Sequence, residues 1–556
     1  MQDNAFIIVA ERILKIHPSD NVFVALTDLK SGEKILNLGK EITVIQAVPS
    51  KHKVADRDLR VGDEIRMYGI VVGKATQAIP AGGVITVNNV RHQATPFGGK
   101  NRTTSWNAPD VSRWKDKTFM GYHRDDGQVG VANYWLVVPL VFCENRNVAM
   151  VQQAFEDALG FGKTDIYKNF VGELVELYRD GESESIASHS LQRGSTLNKK
   201  KLFSNVDGIK FLTHQGGCGG TRQDAEALCA LLAGYIHHPN VAGATVLSLG
   251  CQNAQEDILQ RKLHEVAPGF AKPLIILEQQ KEGTEQELLE QAIRSTFLAL
   301  AEANQMKRKP APLSKLVVGL KCGGSDGFSG ITANPAVGHT SDLIVALGGT
   351  TLLCEFPELC GVEQELIDRC TNAVSADRFI HFMRTYALAA EAVGSGFDMN
   401  PSPGNIKDGL ITDAMKSAGA AKKGGTSPVT DVLDYGEFVK KPGLNLLCTP
   451  GNDVESTTGM AGSGASLILF TTGLGTPTGN PIAPVIKISS NSLLARRMPD
   501  IIDVDAGGIL DGEKTVDEMG EEILDFIVKV ASGETKTKAM ELHQDDFIPW
   551  KRGVSL

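Results

Sequence analysis

Leu316-Val317-Val318-Gly319-Leu320-Lys321-Cys322-Gly323-Gly324-Ser325-Asp326-Gly327-Phe328-Ser329-Gly330-Ile331-Thr332-Ala333-Asn334-Pro335 reads as an apolar strand, a glycine-rich polar loop and the opening of a helix. The strand is assigned to Leu316–Leu320. The helix is assigned to Pro335–Leu347, with proline in its first turn and Gly348-Gly349 at its end. Between them stand four glycines, a thiol, two serine hydroxyls and a carboxylate. Glycine lets backbone approach a ligand closely, and the unpaired amides of a helix N-terminus suit an anion. So much glycine is costly in entropy, which favours a binding loop over a plain connector.

The same strand–loop–helix scheme recurs on both sides. Upstream, Trp135–Phe142, Ile209–Thr213, Ala244–Leu249 and Leu274–Glu278 read as strands, and Val151–Asp180, Arg222–Ile236 and Glu285–Met306 as helical stretches. Downstream, Thr351–Cys354, Leu444–Leu447 and Val485–Ser489 read as strands, and Thr458–Thr471 and Val516–Val530 as helices. Alternation of this kind implies βαβ units and mainly parallel sheets, so the fold class is α/β. Residues 7 to 96 differ: short runs such as Val22-Phe23-Val24-Ala25-Leu26 and Ile42-Thr43-Val44-Ile45, cut by Gly, Asp and Pro, describe a small β domain. The resulting division is a β domain over 1–97, a polar linker over 98–118, a middle α/β domain over 119–306 and a C-terminal α/β domain over 307–556. Lys307-Arg308-Lys309-Pro310-Ala311-Pro312 marks the last boundary.

Composition narrows the function class. The chain has 556 residues, 42% hydrophobic and 22% charged, as in globular proteins. Its longest apolar stretch, Tyr134–Phe142, is too short to span a bilayer, so no membrane partner is expected. A net charge of −10 argues against a nucleic-acid surface. The nine cysteines include no Cys-x-x-Cys pair, which disfavours a zinc ribbon. With no secretory signal visible, the expected compartment is the cytoplasm and the cysteines are expected to be reduced.

Ligands of open parallel sheets bind outside the carboxyl ends of the strands. Cys143, Cys218, Cys251 and Cys322, together with His214, all follow strands here, and thiolates suit iron, zinc or an iron–sulfur cluster. In the β domain, His17-Pro18-Ser19-Asp20-Asn21 and Lys51-His52-Lys53 sit in turns, where a histidine beside a lysine has its pKa lowered toward that of a useful base. Arg124, in Gly121-Tyr122-His123-Arg124-Asp125-Asp126-Gly127, has the forked geometry that clamps a carboxylate. Gly451-Asn452-Asp453 opens a helix, with Asp453 or Ser456 as its expected cap. Gly162-Lys163-Thr164 lacks the first glycine of a phosphate-binding P-loop. Gly-Gly-Ser325-Asp-Gly matches a nucleophile elbow, but at least seven residues separate it from Pro335, whereas an elbow passes directly into its helix.

Taken together, the run Gly319 to Pro335, the segments Gly121 to Asn133 and His214 to Gly219, Leu249-Gly250-Cys251 and Pro403-Gly404-Asn405 resemble the altronate and galactarate dehydratase family, over almost the whole chain. The N-terminal region resembles the SAF-type β-clip domain that opens these enzymes, with His17-Pro18-Ser19-Asp20-Asn21-Val22 and His52-Lys53 in place. The resemblance implies a hydro-lyase that removes water from a sugar acid to give a 2-keto-3-deoxy product, in hexuronate catabolism, with a divalent metal. Ferrous iron is the expected metal, with manganese or an iron–sulfur cluster as alternatives. Such chemistry needs a base for the α-proton, a site for the developing anion and an acid for the hydroxyl. On this resemblance the base is His52 or Lys53, with His17 and Asp20 as metal-site or proton-transfer partners. Arg124, Asn133, His214, Lys321, Gly323, Gly324, Ser325, Asp326, Asn334 and Asn405 are expected to hold the sugar acid. Metal ligands are sought among His17, His52, Cys218, Cys251 and Cys322, with the last three facing one another across a shared crevice. A homo-oligomer is expected.

Three positions depart from the family pattern: Ala132 where arginine is common, Gln252 where glutamate is common, and Lys321 where glutamine is usual. The last two change charge near the expected site and bear on substrate choice. D-altronate is the leading substrate; galactarate dehydration and sulfolactate sulfo-lyase chemistry are the related alternatives. From other classes, a serine hydrolase using Ser325 and a non-catalytic sugar-acid-binding protein are the competing readings.

Overall fold

The computed structural model describes residues 8–10, 12–37, 40–161, 166–191 and 201–555. The Gly162-Lys163-Thr164 stretch falls outside them. The N-terminal region folds as short antiparallel strands. One sheet runs Ile8–Ala10, Ile13–Lys15, Val22–Ala25, Lys53–Ala55, Val84–Ile85, and a second runs Val90–Arg91, Ile70–Ala75, Glu64–Met67. One face closes on itself around Phe23, Leu29, Val44 and Val54, and the other does not. Val22, Val24, Ala55, Ile65 and Met67 pack in one cluster with Phe328, Ile331, Ile411, Ala414 and Met415 from the C-terminal third.

Two parallel sheets follow, as the alternating pattern predicts. The smaller has the order Gly208–Phe211, Tyr134–Pro139, Val241–Ser248, Leu274–Glu278. The larger has seven parallel strands: Val429–Leu433, Gly443–Leu447, Thr350–Leu353, Val317–Cys322, Leu467–Thr472, Val485–Ser489 and Val504–Asp505. The opening strand of the sequence reading is therefore central. It runs on through Lys321 and Cys322, so these two belong to the strand and not to the loop after it. Among the described residues, no helix is long and apolar enough to cross a membrane.

Three local assignments change. The expected helix Thr458–Thr471 is a helix over Asp453–Gly462 followed by the strand Leu467–Thr472. Periodicity does not separate a short apolar strand buried on both faces from a buried helix, and here Gly462-Ser463-Gly464 breaks the two apart. The cap of that helix is Asn452, whose side chain accepts from the amides of Val454 and Glu455, leaving Asp453 free to face the site. The expected boundary Lys307–Pro312, read as a loop, carries an edge strand, Lys309–Pro312, pairing with Thr118–His123, an outer position where proline's missing N–H costs nothing.

The linker crosses the C-terminal domain: Asn101 N donates to Asp368 at 2.9 Å, and the buried Trp114 donates from Nε1 to Asp525 at 2.9 Å. The two α/β parts are locked where their strands begin. Asn240 Nδ2 donates to the carbonyls of Ser466 (2.8 Å) and Ile482 (2.7 Å).

Candidate active site

The carboxyl edge of the seven-stranded sheet lies beneath the N-terminal domain, and the glycine-rich loop is where they meet. Asp326, fully buried, is the hub. One carboxylate oxygen accepts from the amides of Phe328 (3.2 Å) and Ser329 (3.0 Å) and from the hydroxyls of Ser329 (2.9 Å) and Ser490 (2.8 Å). The other takes Asn491 Nδ2 at 3.2 Å and, from the N-terminal domain, Lys51 Nζ at 3.0 Å. Lys51 also pairs with Asp408 at 2.9 Å. Its backbone is left-handed, φ 73°, a conformation rare outside glycine that clusters at functional sites. Two glycines make room for it: a Cβ on Gly327 or on Gly409 would stand 2.4 Å from the Lys51 carbonyl oxygen.

Lys53 is buried in the same seam. Its Nζ donates to the carbonyls of Lys51 (2.9 Å) and Gly409 (2.7 Å). Burial pushes its pKa down to about 7 against the opposing pull of Asp326. For Lys51, burial works in the same direction, but Asp326 and Asp408 outweigh it and raise the pKa. His52 is half-buried, with Nδ1 3.2 Å from the Ser50 carbonyl. Asp20 accepts from the amides of His17 (3.0 Å), Tyr68 (3.1 Å) and Gly69 (2.8 Å), and His17 Nδ1 lies 2.7 Å from Ser19 Oγ. These two therefore shape the turn that carries Tyr68 toward Gly330 and Gly419 of the C-terminal domain. Within the loop, Asn405 Nδ2 donates to the Ser325 carbonyl at 2.7 Å, and Asn334 accepts from Thr471 Oγ1 at 2.6 Å and donates to the Gly419 carbonyl at 3.0 Å. Gly323 and Gly324 are fixed through the carbonyl of Thr471 and the amides of Gly473 and Leu474.

A second charged group lies at the same edge. Lys321 pairs with Glu355 and, at 2.8 Å, with Asp453. Cys322 Sγ lies 3.4 Å from Glu358 and 2.7 Å from Lys423 Nζ, and Glu358 meets Lys416 at 2.7 Å. Burial, then Glu358, pushes the Glu355 pKa up. Burial also opposes charge on Glu358, but Lys416, Lys321 and Lys423 outweigh it and hold that group down. The Cys322 thiol is pushed up to about 11 by burial, against Lys423. Glu355 is also left-handed, φ 68°.

Cys322, Glu355 and Glu358 form the one group of three ligand-type side chains within 4.8 Å among the described residues. Each already touches an ammonium group, Lys423, Lys321 and Lys416 respectively, so a cation placed among them would face three positive charges. In this arrangement the cluster does not fit a divalent cation. His17 and His52 join no such group.

The expected crevice of three cysteines is not formed. Cys322 is buried at the end of the seven-stranded sheet, whereas Cys218 and Cys251, with Cys143, are exposed at the end of the four-stranded one. There the loops are tied by Phe142 N to the Gly216 carbonyl (3.1 Å) and Asn253 N to the Gly217 carbonyl (2.8 Å), beside a cleft of about 590 Å³. His214 orders this loop, with Nε2 2.8 Å from the Pro139 carbonyl and Nδ1 accepting from Gly216 N at 3.1 Å; burial lowers its pKa. Arg124 and Asn133 meet each other at 3.1 Å but not the glycine-rich loop. Asn133 precedes the strand Tyr134–Pro139, so both lie at the amino edge, and their polar atoms serve the carbonyls of Pro239, Ala132, Asn205 and Ala303.

Sequence reasoning missed Glu355, Glu358, Asp408, Lys416 and Lys423. Glu355 and Glu358 directly follow the strand Thr350–Leu353, so the strand-end rule applied to the cysteines would have found them. The two lysines lie on or after the helix Asp413–Ala420, and nothing in their spacing marks them.

Comparison with known proteins accords with this layout. Residues 11–93 match the altronate/galactarate dehydratase SAF domain, 121–304 the D-galactarate dehydratase/altronate hydrolase second domain, and 313–555 the D-galactarate/altronate dehydratase C-terminal domain. An altronate dehydratase of Bacillus subtilis is 34% identical over 94% of this chain and 95% of its own length. One of Escherichia coli is 33% identical over 98% of this chain and 99% of its own. The L-threo-forming galactarate dehydratase of Escherichia coli is 34% identical over 94% of this chain and 93% of its own. With all three parts matched in order and near-complete coverage of these relatives, the chain belongs to the D-galactarate/altronate dehydratase family.

Proposed function

We propose that this protein is a hydro-lyase that dehydrates D-altronate to 2-dehydro-3-deoxy-D-gluconate. What carries the reading is the Lys51–Lys53 turn seated in the glycine-rich loop, in a chain alike over nearly its whole length to altronate dehydratases. Loss of water from a 2,3-dihydroxy acid begins with removal of the proton beside the carboxylate. Lys53 suits that step. A neutral amine has two N–H donors and one lone pair; the carbonyls of Lys51 and Gly409 take both donors and leave the lone pair for the proton. A pKa of about 7 keeps much of it neutral at neutral pH. The loop from Gly323 to Asn334 receives the sugar-acid carboxylate, with Ser325 as a ligand contact. Glu355, kept partly protonated by burial and by Glu358, gives its proton to the departing hydroxyl.

The divalent metal, ferrous iron or manganese, is part of the proposal as an added cofactor that would stabilise the enediolate. No step is assigned to it, because the Cys322 cluster is filled by lysines. A cytoplasmic location and a homo-oligomer complete the proposal; fractionation and light scattering check them.

The test is anaerobic incubation of the protein with D-altronate, galactarate and other aldonates and aldarates, with and without added iron or manganese, scored for 2-keto-3-deoxy acids. D-altronate is expected to give the highest kcat/KM. No turnover of any of these sugar acids overturns the functional reading, and preference for galactarate overturns the substrate.

A further inference from the structure

All nine cysteines are free, and the three exposed ones, Cys143, Cys218 and Cys251, all lie at the carboxyl edge of the four-stranded sheet. They follow three neighbouring parallel strands, Tyr134–Pro139, Gly208–Phe211 and Val241–Ser248, the first of which lies between the other two. Adjacent strands stand about 4.8 Å apart, so the three loops leave the sheet side by side. A solvent-facing thiol contributes little packing, whereas the other six cysteines are buried or half-buried.

The three loops are pinned at one point. The amide of Phe142, the residue before Cys143, donates to the Gly216 carbonyl at 3.1 Å. The carbonyl of Gly217, the residue before Cys218, accepts from the amides of Asn253 (2.8 Å) and Ala254 (3.0 Å), just after Cys251. Gly217 has φ +95° and passes so near the central strand's end that a Cβ would stand 2.2 Å from the Leu140 carbonyl oxygen. Gly250, before Cys251, has φ +121°, and its Cβ would stand 2.6 Å from Gln280 Oε1. Only glycine fits either place, so the backbone that presents Cys218 and Cys251 is fixed. None of the three thiols has a hydrogen-bond partner among the described residues, whereas Cys322 is held by Lys423.

Spacing selects the kind of group. A single ion bound by three thiolates at about 2.3 Å each draws the sulfurs to within about 4 Å of one another. These three thiols do not all lie within 4.8 Å of one another. In a cuboidal iron–sulfur cluster each thiolate binds a different iron, and the sulfurs stand about 6 Å apart. We propose that Cys143, Cys218 and Cys251 bind a four-iron iron–sulfur cluster, at a site separate from the Cys322 group. Three cysteines for four irons leave one iron free for an oxygen ligand, and such an iron is a Lewis acid toward a carboxylate or hydroxyl. The adjoining cleft of about 590 Å³ is lined by Cys218, by Asn145 and Asn253 from the other two loops, and by Glu455. Glu455 shares the first turn of its helix with Asp453, which pairs with Lys321, so this cleft and the Lys321 group border one helix start. The iron expected from the sequence thereby has a donor set that the lysine-filled Cys322 group does not provide.

The test reads metal and sulfide, not turnover, so its outcome is separate from that of the sugar-acid assay. Full-length protein is purified without oxygen, incubated with ferrous iron, sulfide and dithiothreitol, and desalted. About four irons and about four acid-labile sulfides per chain are expected, with broad visible absorption that bleaches with dithionite and an electron paramagnetic resonance signal in the reduced state. Cys143→Ser, Cys218→Ser and Cys251→Ser should each lose at least about half of the iron and sulfide, and the triple variant nearly all of it. Their circular dichroism should match the wild type's, since all three side chains are exposed. No bound iron, about one iron without sulfide, full retention in any single variant, or equal iron and sulfide in the wild type and the triple variant overturns the proposal.

Discussion

Lys53 concentrates the energetics of the seam in one side chain. Burying an ammonium is unfavourable, and the pKa falls from 10.5 to about 7 because burial outweighs the attraction of Asp326. Between those values the unfolded chain holds a proton that the folded chain has released, so stability from this group rises with pH across that window. Below about 7 both states are protonated and the folded state bears the full cost of the buried charge. Lys53→Met removes the titration. Its melting temperature should exceed the wild type's by most near pH 6, with the gap shrinking toward pH 9. As the proposed base it should lose about 10²–10⁴-fold in kcat. The wild-type kcat should rise with pH through about 7. A variant with near-normal kcat would remove Lys53 from the mechanism, whatever its stability shows.

At the scale of elements, loop and turn hold each other by backbone clearance. Gly409 has φ +90° and would place a Cβ 2.4 Å from the Lys51 carbonyl oxygen. Gly409→Ala should cost at least about 1 kcal/mol in denaturant unfolding. It should also lower kcat by displacing a carbonyl that binds Lys53. The helix Asp453–Gly462 is held differently: Asn452 caps it, and Asp453 points at Lys321 from its first turn. Asn452→Ala should cost about 1 kcal/mol. Asp453→Asn, which keeps the shape, should alter activity more than stability, since Lys321 keeps its pairing with Glu355. If instead Asp453→Asn lowers the melting temperature and leaves kcat unchanged, the Lys321 group is scaffold alone.

For the whole molecule, the N-terminal domain is a wall of the site and a cover for the sheet edge. Phe328, Ile331, Ile411, Ala414 and Met415 share its apolar core. Protein lacking residues 1–97 should therefore bind a hydrophobic dye, aggregate more readily and show no turnover. Retained activity in that truncated protein would place the reaction away from the seam, with the cleft beside Cys218 and His214 as the next place to look.

The chain's periodicity was enough to determine the α/β class, the parallel sheets and the β-rich start, because strand alternation and glycine-closed helices are written locally in residues such as Leu316–Leu320 and Gly348-Gly349. Motif order was enough to determine the family. The strand Leu467–Thr472, a direct neighbour of the central strand, was not legible, because a short run buried on both faces has no period of its own. Nor was the composition of the site. Lys51 meets Asp326 across 275 positions of chain, and Lys416 and Lys423 reach Glu358 and Cys322 from the helix Asp413–Ala420 and the turn after it, with no mark of function. Arg124 and Asn133 have the right chemistry at the wrong edge, since which end of a strand a residue occupies is settled only when the sheet assembles. Local sequence sets what each segment forms; long-range packing alone decides which charges are desolvated together, and that determines which of them are reactive.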